Sequence, residues 1–348
     1  MVQAPVAGVL QGIRVEPGQR VAAGSLLALI EVMKMETEVR APTAGTVAEL
    51  CAQPGSTVKQ AQPLLRLAVD GIGTATDPAP SAVSTADGAS RRAGLAEVLD
   101  RRRRALDAGR PAAVARRHAA GARTARENIA DLADPGSFVE YGLFALAAQR
   151  ARRSEDELIE RTAADGLIGG TATINAEHFG EAAACAILSY DYTVLAGTQG
   201  ALGHFKKDRL FELIERMRLP VVLFAEGGGG RPGDTDIPAG SMLTARAFAL
   251  WGRLSGLVPR IAIVHGRCFA GNAALAGSAD LVIATEGSNI GMGGPAMIEG
   301  GGLGAHEPEA IGPIDVQSGN GVVDVRVAGE AEAVAVARDL VGLFQGRL

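Results

Sequence analysis

Two folded parts of different class are predicted for this chain: a small all-β domain, a sandwich or flattened barrel, then a larger α/β domain. Three observations carry that expectation. Residues 1–70 repeat internally at an offset of 37, residues 71–90 are too poor in apolar side chains to fold, and strand-like and helix-like runs alternate from Pro111 onward.

The repeat comes first because self-similarity constrains architecture more tightly than residue propensity does. Ala4-Pro5, Ala7-Gly8, Pro17-Gly18, Val21 and Leu27 recur as Ala41-Pro42, Ala44-Gly45, Pro54-Gly55, Val58 and Leu64. Each half sets short apolar runs (Gly8-Val-Leu, Ile13-Arg-Val, Leu26 to Ile30) between Pro-Gly and Ala-Gly turn signals, the pattern of short strands. Neither half has enough apolar surface to close a core alone. Between them lies Glu31-Val-Met-Lys-Met-Glu36, which reads as a strand, a turn and a returning strand with Lys34 at an exposed tip.

This stretch resembles the biotinyl/lipoyl attachment domain, and Met33-Lys34-Met35 matches its biotin form. Lipoyl domains usually place an acidic residue before the lysine. The resemblance implies covalent biotin on Lys34, added by a biotin protein ligase. The chemistry agrees, since ligation needs an accessible amine and the resulting amide leaves a long, uncharged arm. Residues 71–90 (GIGTATDPAPSAVSTADGAS) then read as a flexible linker with a root-mean-square span of ~25 Å, enough for a carrier to travel between separate sites.

The rest, 91–348, is expected to begin with a helix at about 91–108, where Leu95, Val98, Leu99 and Leu106 have helical spacing and Arg101 to Arg104 take the other faces. Strands are expected at Ala183 to Leu188, Pro220 to Ala225, Arg260 to Val264 and Leu281 to Ala284. Helices are expected at Lys207 to Arg218, Met242 to Leu254 and Gly329 to Phe344. Glycine clusters fall where strands end, at Gly197 and Gly200, Gly227 to Gly230, and Gly271. Glycine lets a backbone approach a ligand with its N–H groups bare, so these loops are candidates to line a site.

Several motifs occur in order: Gly121-Ala-Arg-Thr-Ala-Arg126, Asp134-Pro-Gly-Ser-Phe-Val-Glu140, Tyr192-Thr-Val-Leu-Ala-Gly197, Gly227 to Arg231, Cys268-Phe-Ala-Gly271 and Gly293-Gly-Pro295. Together they resemble the N-terminal, crotonase-like half of an acyl-CoA carboxyltransferase β-type subunit. The resemblance implies carboxyl transfer from carboxybiotin to the α-carbon of an acyl-CoA, of the acetyl- or propionyl-CoA carboxylase type. It also implies two pairs of oxyanion donors, Gly228 with Gly229 and Ala270 with Gly271, and a CoA-binding role for Gly197, Gln199, Gly200 and Lys207. Such chemistry depends on N–H donors placed where negative charge develops. The first glycine motif departs from the family, with Gly230 where alanine usually precedes the arginine.

Other classes fit less well. A crotonase-type hydratase needs glutamates, and Ala274 stands where one of them commonly sits. A decarboxylase using the same half-reaction, or a carrier fused to a non-catalytic docking domain, remain as alternatives. A net charge of −5 argues against nucleic acid as a partner, and the lack of a long apolar run argues against a membrane span. The reading is therefore a cytoplasmic enzyme component. Cys51, Cys185 and Cys268 are expected as buried small hydrophobes, and the five histidines show no ligand-like spacing, so no metal is assigned. By the resemblance, a biotin carboxylase and a C-terminal carboxyltransferase half would complete the enzyme in a homo- or hetero-oligomer.

Overall fold

The computed structural model describes residues 1–32, 35–68, 85–237 and 246–346. The chain forms two compact units, Met1–Val83 and Ser84–Leu348.

In the first unit the repeat is built strand for strand. Its strands are β1 (Val2–Gln3), β2 (Gly8–Ile13), β3 (Arg20–Val21), β4 (Leu26–Val32), β5 (Met35–Arg40), β6 (Gly45–Leu50), β7 (Thr57–Val58) and β8 (Pro63–Ala68). They make two four-stranded sheets, ordered β1-β8-β6-β3 and β5-β4-β2-β7, and the 37-residue offset carries one order onto the other. Each sheet therefore contains strands from both halves, which is why neither half folds alone. The core pairs up in the same way: Val2 with Val39, Ala4 with Ala41, Leu10 with Val47, Val21 with Val58 and Leu27 with Leu64 are all buried. Large aliphatic side chains among them each stabilise the fold by roughly 1.5–3 kcal/mol. The symmetry even overrides residue preference. Gly24 turns at φ 82°, and its repeat partner Ala61 takes the same left-handed turn at φ 64° despite carrying a Cβ.

The ladder between β4 and β5 runs as far as Val32 paired with Met35. Met33 and Lys34 lie outside the described residues, as does most of the expected linker.

The second unit opens with a helix over Thr85–Ala105, six residues earlier than the expected start at 91 and within the stretch expected as linker. Its apolar positions Leu95, Val98 and Leu99 are half exposed.

A seven-stranded sheet follows, ordered β18-β16-β14-β12-β11-β10-β9. Its strands are β9 (Val139–Glu140), β10 (Leu167–Thr173), β11 (Ala184–Tyr190), β12 (Val221–Phe224), β14 (Arg260–Val264), β16 (Leu281–Thr285) and β18 (Val325–Val327), parallel from β11 to β18. These strands are apolar on both faces, as a covered parallel sheet requires. Leu188, Leu223 and Ala262 face the helices Ala201–Met217 and Ala247–Arg253, with Phe211 and Trp251 in that core. Ile187, Val222 and Ile263 face Ala125–Leu132 and Glu330–Gly342. The helix at Ala125 starts where it does because Thr124 and Glu127 cap it reciprocally: Glu127 N donates to Thr124 Oγ1 at 3.1 Å, and Thr124 N to Glu127 Oε2 at 2.7 Å.

A second, three-stranded parallel sheet stands beyond the large one: β13 (Gly227–Gly228), β15 (Arg267–Phe269) and β17 (Asn289–Gly291). The chain leaves β12, β14 and β16 of the large sheet and enters these three short strands a few residues later. Cys185 and Cys268 are buried as expected, whereas Cys51 is exposed just past the end of β6.

Candidate active site

Three loops converge where the two sheets meet. Gln199 forms a parallel bridge with Gly230, its N–H donating to Gly229 O at 2.9 Å and its carbonyl accepting from Arg231 N at 3.2 Å. This stitches the loop ending at Gly200 to the Gly227–Gly230 loop. The backbones pass so closely that a Cβ at Gly227 would stand 2.3 Å from Ala196 O. Asn272, in the first turn of the helix Gly271–Gly277, binds both loops: Nδ2 donates to Glu226 O at 2.8 Å and Gly197 O at 3.2 Å, and Oδ1 accepts from Gln199 Nε2 at 2.7 Å.

The four expected oxyanion residues lie at this junction. Gly228 pairs with Phe269 in the small sheet, and Gly229 follows it at φ 78°. Ala270 caps the helix Gly271–Gly277 in a strained conformation, φ 51° and ψ −123°. Its N–H donates to Gly291 O at 3.0 Å. Gly271 is the first helical residue, so its N–H has no carbonyl of its own helix to meet. Of this second pair Gly271, not Ala270, is the available donor. Leu195, Ala196, Ala164 and Asp165 also hold left-handed φ values around these loops, the kind of strain that gathers at working sites.

Lys207 differs most from its expected role. The sequence suggested a cation for the CoA portion, but the side chain is wholly buried, with Nζ 2.9 Å from Tyr190 Oη and 2.6 Å from Gln199 Oε1. It therefore anchors Gln199 from beneath, and the charge does not reach the surface. Gln199 is itself buried, and its side chain is tied to Lys207 and Asn272. Gly197 and Gly200 are likewise packed, a Cβ at Gly200 falling 2.3 Å from Arg231 Nη1.

Burial holds the Lys207 ammonium down at about 7, against the pull of Asp208 and Asp165. The folded pKa is lower than the unfolded one, so between about 7 and 10.5 the unfolded chain binds a proton that the folded chain does not. Stability from this group is therefore lost as pH falls toward 7 and gained as pH rises. Between pH 7 and 9 the wild type should gain about 2 kcal/mol relative to Lys207→Met, read from urea unfolding at each pH. Parallel pH profiles for the two proteins would contradict the assignment.

A second buried group fixes the start of the helix Ala201–Met217. Asp165 accepts from Gly203 N at 2.5 Å and pairs with Arg231, and Asp234 accepts from Ala201 N at 2.9 Å. Arg231 also donates to Thr198 O at 2.8 Å. Burial pushes Asp165 up to about 6 while Arg231 opposes the shift. A third group locks Glu226, the residue before the glycine loop: Arg117 grips its carboxylate with two bonds of 2.7 and 2.8 Å. His265 Nδ1 stands 2.8 Å from Glu330 Oε1 in a close but poorly aligned approach. Burial opposes ionisation of Glu330, but His265, Arg123 and Asn128 together hold it down at about 2.

None of Asp165, Asp234, Tyr190, Asn272, Glu226 or Arg117 stood out in the sequence as a site residue. The spacing gave no signal, since most of the partners lie far away along the chain. Arg117 and Glu226 are 109 positions apart.

Comparison with known proteins agrees with this architecture. Residues 116–346 match the family model of the carboxyl transferase domain, and residues 1–67 match that of the biotin-requiring enzymes. The chain belongs to the carboxyl transferase family, with a biotin-carrier domain at its N-terminal end. It is 31% identical to the biotin-dependent long chain acyl-coenzyme A carboxylase beta4 subunit of Mycobacterium tuberculosis, over 72% of this chain and 45% of that one. It is 30% identical to the propionyl-CoA carboxylase beta chain of Saccharopolyspora erythraea, over 58% and 35%. A single-chain, multi-domain long-chain acyl-CoA carboxylase of known structure aligns with 100% of this chain and 32% of its own, at 52% identity and a TM-score of 0.72. The transcarboxylase 12S hexamer aligns with 71% of this chain and 47% of its own, at 25% identity and a TM-score of 0.60. The chain thus spans less than half the length of these relatives. Among the described residues no helix is long and apolar enough to cross a membrane.

Proposed function

We propose that this chain carries biotin on Lys34 and transfers a carboxyl group from it to the α-carbon of an acyl-CoA, in an acyl-CoA carboxylase of the acetyl- or propionyl-CoA type. The observation that carries the proposal is the presence in one chain of a carrier unit and a transferase unit whose two sheets end in N–H-bearing glycine loops. Biotin, when bound, supplies the activated carboxyl group. β4 and β5 are paired up to the residues on either side of Met33-Lys34, which fits a lysine presented from the end of a hairpin.

This chain's residues then have separate tasks. Gly271, and Gly228 with Gly229, offer N–H groups to oxyanions. Each such donor typically lowers the barrier by ~3–4 kcal/mol, because it is already oriented and requires no solvent rearrangement. Gln199 and Asn272 fix the spacing between the loops. Lys207 and the Asp165–Arg231–Asp234 group hold the frame on which Gln199 is mounted. Ala274 supplies no carboxylate at the position where a hydratase commonly has one.

Residues 71–84 would act as the tether of the carrier. Biotin protein ligase would load Lys34, a biotin carboxylase would charge it, and a C-terminal carboxyltransferase half from a second subunit would close the site, in the cytoplasm. Coexpression with biotin ligase tests this: the purified chain should carry biotin at Lys34 and bind propionyl-CoA, yet transfer no carboxyl group until a C-terminal half is added. Transfer by the chain alone, or a chain that stays unmodified, would contradict the reading.

A further inference from the structure

We propose that the side-chain amide of Gln199 is a further oxyanion donor, with one Nε2–H standing beside the N–H of Gly271. The proposal rests on the acyl-CoA reading above and adds a catalytic group to it. Of the expected pair Ala270 and Gly271, the Ala270 N–H is used by Gly291 O at 3.0 Å. Gly271 is half-buried and keeps its N–H, so this pair is one donor short for an oxygen that accepts two hydrogen bonds.

The orientation of the Gln199 amide is fixed from both ends. Asn272 turns Nδ2 to the carbonyls of Gly197 and Glu226, at 3.2 and 2.8 Å, and so uses both of its N–H bonds. Its Oδ1 therefore faces Gln199 and can be met only by a donor, which makes the near atom Nε2, at 2.7 Å. At the other end Lys207 Nζ donates to Oε1 at 2.6 Å. Nε2 carries two hydrogens, and among the described residues it meets one acceptor, Asn272 Oδ1. The second N–H is available.

Its place beside Gly271 is equally defined. A Cβ on Gly271 would stand 2.5 Å from Gln199 Nε2. In helical geometry the Cα–Cβ bond leans toward the same end as the N–H bond. Nε2 therefore lies on the open side of Gly271, where an oxygen drawn to its N–H arrives. The same contact accounts for glycine at this position, because a side chain would take the place of the amide. Gln199 also lines the cavity of about 330 Å3 beside the Gly227–Gly230 loop. Lys207 strengthens the donor, since a hydrogen bond accepted at Oε1 draws electron density through the amide and leaves the Nε2 hydrogens more positive.

The test uses the full chain and two probes in calorimetric titrations. One is propionyl-CoA. The other is its dethia carboxylate analogue, in which CH2–COO− replaces the thioester and sets a full charge where the enolate oxygen forms. Gln199→Met keeps the length of the side chain and removes the amide. It should weaken binding of the analogue by about 10- to 100-fold, the worth of a hydrogen bond to a charged oxygen, while propionyl-CoA binds as to the wild type. In 15N–1H spectra of the wild type, one Gln199 Nε2 proton should move downfield with the analogue and little with propionyl-CoA. An equal loss for both probes would make Gln199 a support and no donor, and unchanged binding of both would remove it altogether; the carboxyltransferase reading survives either result. Should the variant not fold, the resonance decides, and one that stays in place overturns the proposal. If the wild type binds neither probe, the carboxyltransferase reading fails and this donor with it.

Discussion

Lys34→Arg should abolish carboxyl transfer completely while leaving both units folded. Arginine keeps the positive charge and most of the length, but its guanidinium holds its proton above pH 12 and offers no nucleophilic amine for amide formation. Among the described residues, the first unit's core is built from the repeat pairs that run from Val2 with Val39 to Leu27 with Leu64. The loss is therefore expected in modification and not in stability. Intact-mass measurement after coexpression with biotin ligase should show one biotinyl group on the wild type and none on the variant. The complete enzyme built with the variant should fix no carboxyl group above background. A biotinylated variant, or a modification mapped to Lys59, would show that the attachment site has been misplaced.

The parts of this molecule that the sequence disclosed are those encoded locally or by repetition. The 37-residue offset gave the strands of the first unit because a duplicated fold must place Leu10 and Val47, or Leu27 and Leu64, in equivalent positions. The large sheet was legible because doubly covered parallel strands such as Arg260–Val264 read as uninterrupted apolar runs. The polar frame of the site was not legible. Gln199 meets Asn272 across 73 positions and Arg231 meets Asp165 across 66. Taken singly, Asn272 and Asp165 look like ordinary residues, and the motifs that include Gln199 and Arg231 do not tell what these side chains touch. Lys207 shows the cost of that ambiguity. On a helix, a lysine beside another lysine suggests a solvated charge, and only the packing of Tyr190 and Gln199 around it reveals a buried support. The start of the leading helix was not legible for a different reason: the residues before Arg91 are small and polar and offer no apolar face, although the chain there is helical from Thr85.

Gly228→Ala should disable the site from within. The new Cβ would lie 2.1 Å from Phe269 O and 2.7 Å from Phe269 C, and both are backbone atoms that cannot swing aside as a side-chain tip can. Phe269 is held on its other side by its pairing with Gly291, so relief requires parting β13 from β15. The backbone at Gly228 adds to the cost, since φ 156° is a region that residues with a Cβ rarely adopt. Overpacking of this kind costs about 1–3 kcal/mol, and displacement of the loop would also remove its N–H groups from the developing charge. Losing one oxyanion donor alone lowers the rate ~100- to 1000-fold. The complete enzyme carrying Gly228→Ala should therefore lose at least that much carboxyl transfer, with a lower melting temperature for the second unit. Gly230→Ala separates strain from a general intolerance of side chains in this loop: a Cβ there meets nothing within 4 Å, and its φ is not left-handed. Its melting temperature should match the wild type. If Gly228→Ala were as stable as Gly230→Ala and retained normal transfer, the small sheet could not be what positions the donors.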